Sequence, residues 1–136
     1  MKTALIFAAG RGERLRPLTD TCPKALLPIH GTPLIEYPIQ HLATAGFKRI
    51  VINLSHLGDM IRQAVGNGSR WNIDIVYSKE PPGALETGGA IIHARHLLGK
   101  DPFATVNADI LTDYPFSRLS LPKGKLIHLV LVPQPS

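Results

Sequence analysis

The chain has 136 residues, 44% of them hydrophobic and 18% charged, with a formal net charge of +5, a balance that suits one globular core. Cys22 is the sole cysteine, which excludes a disulfide framework and a cysteine zinc cluster. Only 6% of residues are aromatic, and the positive charge gathers in one loop instead of forming a stripe, so a small anionic ligand is expected and nucleic acid is not. The start has no signal-peptide pattern and no apolar run reaches membrane-spanning length, so a cytoplasmic setting with no membrane partner is expected.

Residues 3–7 form a short apolar run of the kind a buried parallel strand uses. That strand empties into Ala8-Ala9-Gly10-Arg11-Gly12-Glu13-Arg14-Leu15-Arg16-Pro17, with Pro23-Lys24 shortly after. Gly10 and Gly12 remove the Cβ atoms that would keep a phosphate from backbone amides. Arg11, Arg14, Arg16 and Lys24 add four cations within fourteen residues. The outline is that of a polyphosphate site; the plainer reading is a basic surface loop with chance glycines. Leu15 stands where a dinucleotide fingerprint needs its third glycine, and Pro17 stops any long helix. The G-x-x-x-x-G-K-[ST] phosphate loop is absent as well.

Beyond this loop, residues 25–29 suit a short extended piece, and His30-Gly31-Thr32-Pro33 turns the chain. Helical spacing covers residues 34–45, with Pro38 in an early turn and Gly46 as the stop. Residues 49–54 predict a second strand, Ser55 a cap for a helix over residues 57–65, and residues 73–77 a third strand. A shaped proline-glycine loop occupies residues 79–89, and Thr87 is the expected cap of a helix over residues 90–98. Residues 103–106 predict a fourth strand leading into Asn107-Ala108-Asp109. Residues 126–132 read as a buried strand just ahead of Pro133-Gln134-Pro135-Ser136, which suggests the front part of a longer domain. Strand and helix alternate, the signature of a parallel α/β sheet.

All strands of such a sheet deliver their carboxyl ends to one edge, where ligands bind. Residues 10–16, 80–89 and 107–109 are therefore expected to share one crevice. Asp109, a carboxylate facing a cationic phosphate loop, is placed to hold Mg²⁺ with the help of substrate phosphates; the plainer role is a turn or helix cap. Asn107 can bond a ligand or tie down its own turn. His93 and His96 read as a surface pair, His56 as a possible crevice residue, and Trp71 and Tyr77 as packing.

Together, residues 8–19, 23–28, 33–35, 85–89 and 107–109 resemble the sugar-1-phosphate nucleotidylyltransferases, or nucleotide-sugar pyrophosphorylases. The resemblance implies a three-layer Rossmann-like nucleotide-diphospho-sugar transferase fold, incomplete at its carboxyl end, with residues 1–136 as a single nucleotide-binding domain. It implies that a sugar 1-phosphate attacks the α-phosphorus of a nucleoside triphosphate and expels pyrophosphate, with Mg²⁺. Leu85-Glu86-Thr87-Gly88-Gly89 and Thr112-Asp113-Tyr114 look most like the branch that moves UMP from UTP to N-acetylmuramate 1-phosphate. The guanylyl-transferring enzymes of mannose 1-phosphate share much of the pattern, and a nucleotide-binding module without turnover is the further alternative.

By the same resemblance Gly10, Gly12, Glu13 and Arg14 cradle the triphosphate, Lys24 holds the reacting phosphates, and Arg16 stabilises the departing pyrophosphate. Glu80, Leu85, Thr87 and Gly88 frame the base, Asn107 touches substrate, and Asp109 binds the metal. Family members place a second metal-binding aspartate further downstream, so weak metal binding and poor turnover are expected of this chain alone.

Overall fold

The computed structural model describes residues 1–83 and 85–135. Four strands, β1 (Thr3–Phe7), β4 (Arg49–Leu54), β5 (Asp74–Lys79) and β6 (Phe103–Asn107), form one sheet in the order β5-β4-β1-β6, and every pairing is parallel. A short antiparallel pair, β2 (Pro28–Ile29) and β3 (Thr32–Pro33), stands apart from it. The apolar runs of β1 and β4 explain their central places, since Leu5, Ile6, Ile50, Val51 and Ile52 are fully buried and a central parallel strand is covered on both faces.

Helices α2 (Glu36–Thr44) and α3 (Gly58–Val65) place Ile39, Leu42, Ile61 and Val65 in the core on one face of the sheet. Helix α4 (Glu86–Leu98) packs Ala94 and Leu98 against Leu5 and Val51 on the other. The parallel sheet with its crossover helices is the one the alternation predicted, and the three layers are those the resemblance implies. Trp71 and Tyr77 pack against the larger core, also as expected.

Three local expectations are corrected. Helix α4 begins at Glu86, not residue 90, so Thr87 lies inside its first turn and no side chain caps it. Ser55 does not cap α3 through its side chain; its carbonyl accepts from the Gly58 amide at 3.1 Å, and Leu57 takes the cap position with φ 54°. Residues 126–132 form no strand. Leu126 is 93% and Leu131 83% exposed; β6 ends the sheet order without this stretch beside it, so its apolar side chains gain no cover from the sheet. It is tied to the chain before it through His128, whose Nδ1 meets the Ser120 carbonyl at 2.6 Å.

Candidate active site

Order reverses in the sheet between β1 and β6, the place where parallel sheets open a crevice at their carboxyl edge. A cleft of about 410 Å³ lies there, lined among others by Gly10, Gly12, Glu13, Arg14, Lys24, Asn107 and Asp109. Three segments supply these residues: the turn after β1, the turn at Lys24–Leu26, and the end of β6.

The first turn is shaped from beneath. Gly12 has φ 67°, and a Cβ placed there would stand 2.8 Å from Thr19 Cγ2 and 3.3 Å from Lys24 Cβ, so only glycine fits without strain. Gly10 is different. It is not among the glycines with positive φ, and a Cβ there would meet nothing within 4 Å, so its missing side chain leaves room in the cleft and serves no packing. After Gly12 come a 3-10 turn (Glu13–Leu15) and the single-turn helix α1 (Leu18–Thr21), in keeping with the early stop that Pro17 imposes.

Lys24 is set by a second support. The Ile35 amide donates to the Ala25 carbonyl at 2.8 Å and the Leu34 amide to the Leu27 carbonyl at 3.0 Å, which fastens the Lys24 turn to the start of α2. From there Lys24 Nζ reaches Asp109 Oδ2 at 2.5 Å, with both side chains about one third exposed. An ion pair that open adds little stability, at most about 1 kcal/mol; its meaning is positional. A cation from the first loop and a carboxylate from the end of β6 meet across the cleft.

A sequence model of the nucleotidyl transferase family matches residues 3–121. The chain belongs to the nucleotidyl transferase family. It is 51% identical to an N-acetylmuramate alpha-1-phosphate uridylyltransferase of Neisseria meningitidis, over 97% of this chain and 59% of that protein. It is 38% identical to a mannose-1-phosphate guanyltransferase of Aspergillus oryzae, over 86% of this chain and 33% of that one. A crystal structure of UDP-glucose pyrophosphorylase complexed with UDP-glucose superposes with a TM-score of 0.68 at 30% identity, covering 85% of this chain and 49% of that one. The chain thus spans little more than half the length of the meningococcal relative, and less of the other two.

Within this member of the family several expected site residues lie outside the cleft lining. Arg16 donates from Nε to Asp20 Oδ1 at 2.8 Å, and Arg11 donates from Nη2 to the same oxygen at 2.9 Å. Both arginines, Arg11 foremost, hold the Asp20 carboxyl below its usual 3.8. Glu80 is buried beside Asn53, while Thr87 and Gly88 are exposed and Leu85 half-buried at the start of α4. Ala84, in the same loop, lies outside the described residues.

Three supporting residues escaped the sequence reading. Thr19, fully buried, donates from Oγ1 to the Gly12 carbonyl at 2.8 Å, and its own carbonyl takes Arg11 Nη1 at 3.0 Å and His56 Nε2 at 2.9 Å. A carbonyl only accepts, so His56 carries its proton on Nε2. Asp20 gathers the two arginines. Asn53 binds the amides of Ala8 and Ala9. A polar residue ending an apolar strand was the available signal for Asn53; nothing local distinguishes Thr19.

Proposed function

We propose that this chain is the nucleotide-binding part of a transferase that moves UMP from UTP to N-acetylmuramate 1-phosphate and releases pyrophosphate, in a cytoplasmic setting. The observation that carries the reading is Lys24 meeting Asp109 across a cleft floored by bare glycine backbone. The choice of UTP and of this sugar is supported by the higher identity to the uridylyltransferase, 51%, than to the guanyltransferase, 38%.

In this reading an oxygen of the sugar phosphate forms a bond to the α-phosphorus in line, and the bond to the bridging oxygen of pyrophosphate breaks. The phosphate itself is the nucleophile, so the protein contributes position and charge. Gly10, Gly12, Glu13 and Arg14 cradle the triphosphate, and the Lys24 ammonium leaves Asp109 to neutralise the reacting phosphates. Arg16 serves the departing pyrophosphate, Asn107 contacts substrate, and Glu80, Leu85, Thr87 and Gly88 frame the base.

Among the described residues no group of three or more His, Cys, Asp or Glu gathers as a metal cage. The Asp109 carboxylate in the cleft fits Mg²⁺, which is held by one or two carboxylates with substrate phosphates supplying further oxygens. Asp109 would hold it, and the ion would supply charge neutralisation to the triphosphate.

The test pairs calorimetric titration of UTP, GTP, CTP and dTTP with an assay of pyrophosphate release from UTP, N-acetylmuramate 1-phosphate and Mg²⁺. UTP is expected to bind tightest and to release pyrophosphate. Preference for GTP overturns the base assignment; binding without release keeps the nucleotide site and removes transfer by this chain alone.

A further inference from the structure

Asn53 ties two loops together beneath the cleft. It stands at the carboxyl end of β4, level in the sheet with Phe7 and Ser78, and is 3% exposed. Its Oδ1 accepts from the Ala8 amide at 2.6 Å and the Ala9 amide at 3.2 Å, while its Nδ2 donates to Glu80 Oε1 at 2.8 Å. Glu80 is 8% exposed, and its own amide is fixed on the Leu54 carbonyl at 2.8 Å.

The chemistry of this arrangement runs one way. A carboxylate accepts and backbone amides donate, so the Asn53 side chain must turn Nδ2 to Glu80 and Oδ1 to the turn. Flipped, it would set donors against donors in a buried place, where an unmet group is costly. Glu80 and the two amides thus demand the same orientation of Asn53, with Glu80 anchoring its far end, and those amides begin the turn that carries Gly10 and Gly12.

Resting on the nucleotide reading above, we propose that Asn53 and Glu80 are a positioning pair through which the loop after β5 fixes the backbone of the phosphate turn. Glu80 then acts on phosphate binding without touching phosphate, in addition to any contact with a base. Residues at the base end and the phosphate end of the nucleotide are coupled through one amide side chain.

Inorganic pyrophosphate with Mg²⁺ is the deciding probe, because it carries no base and Glu80 is not among the cleft-lining residues. Glu80→Ala is expected to weaken pyrophosphate binding by about 5-fold or more, the scale of one buried hydrogen bond. Asn53→Asp sets two carboxylates face to face and is expected to weaken it by about 10-fold or more, a single close like-charge contact being enough for that. The double variant N53D/E80Q restores the bridge with reversed polarity, the introduced amide at position 80 donating to the introduced carboxylate at position 53. It should return to within about 3-fold of the unaltered chain. Wild-type pyrophosphate affinity in Glu80→Ala, or a double variant no better than Asn53→Asp, overturns the pair. An unaltered chain that binds neither UTP nor pyrophosphate overturns the nucleotide reading itself, and the pair with it.

Discussion

The two walls that the nucleotide reading gives the crevice are built by opposite means. On the phosphate side, the turn after β1 is held from below by Thr19, Asn53 and the Lys24 turn, so that backbone and a few cations face the cleft. On the other side, the start of α4 carries no side-chain cap and leaves Thr87 and Gly88 exposed. Phosphate is small, fixed in shape and charged, and rewards donors set in place beforehand. The difference teaches that order in this site is concentrated where charge must be met, and variants on the two walls should separate accordingly.

The largest effect is expected at Lys24. Lys24→Ala should cost about 2 kcal/mol or more of transition-state stabilisation, about 30-fold in the rate of pyrophosphate release from UTP. Near-normal release would break the comparison, because the ammonium facing Asp109 would then be a surface ion pair and no more. Next comes Gly12→Ala, which forces a side chain into left-handed backbone 2.8 Å from Thr19 Cγ2. Urea unfolding should report a loss of about 1–2 kcal/mol for that conformation, and UTP affinity should fall with it. On the other wall, Thr87→Ala should change stability by no more than about 0.5 kcal/mol, since the side chain is exposed and caps nothing. A loss above about 1 kcal/mol, the ordinary worth of a helix cap, would restore the capping role the sequence suggested.

The two walls were also unequally legible. Periodicity gave the sheet, its parallel sense and the crossover helices, because burial on two sides writes near-continuous apolar runs at β1 and β4. The switch in strand order between β1 and β6 then brought Gly12, Lys24 and Asp109 together as strand-end logic requires. Thr19 was not readable and Asn53 stood out only as a polar residue near the end of an apolar strand, since their partners lie 7 and 45 residues away in sequence and a polar side chain does not announce a distant backbone partner. Residues 126–132 misled for a related reason. Apolar composition records what a segment is able to bury, whereas the sheet records what lies beside it, and no strand lies beside this one in the described residues.

The smallest expected effect sharpens the phosphate side further, at Asp20. Arg11 and, after it, Arg16 hold this carboxyl below 3.8 in the folded chain, so its contribution is present above the unfolded value and fades as pH falls from there through the lower, folded one. The group is exposed, and solvent screening keeps that contribution slight. Its midpoint, followed by carboxyl NMR, is still an informative gauge of where the arginines are. Arg11→Ala should raise it more than Arg16→Ala, and added salt should raise it in the unaltered chain. If Arg16 turns from Asp20 to a phosphate, saturating UTP should raise the midpoint as Arg16→Ala does. A midpoint that UTP leaves in place keeps the Arg16 guanidinium on Asp20 with ligand bound, and Arg14 and Lys24 are then the cations that meet the pyrophosphate.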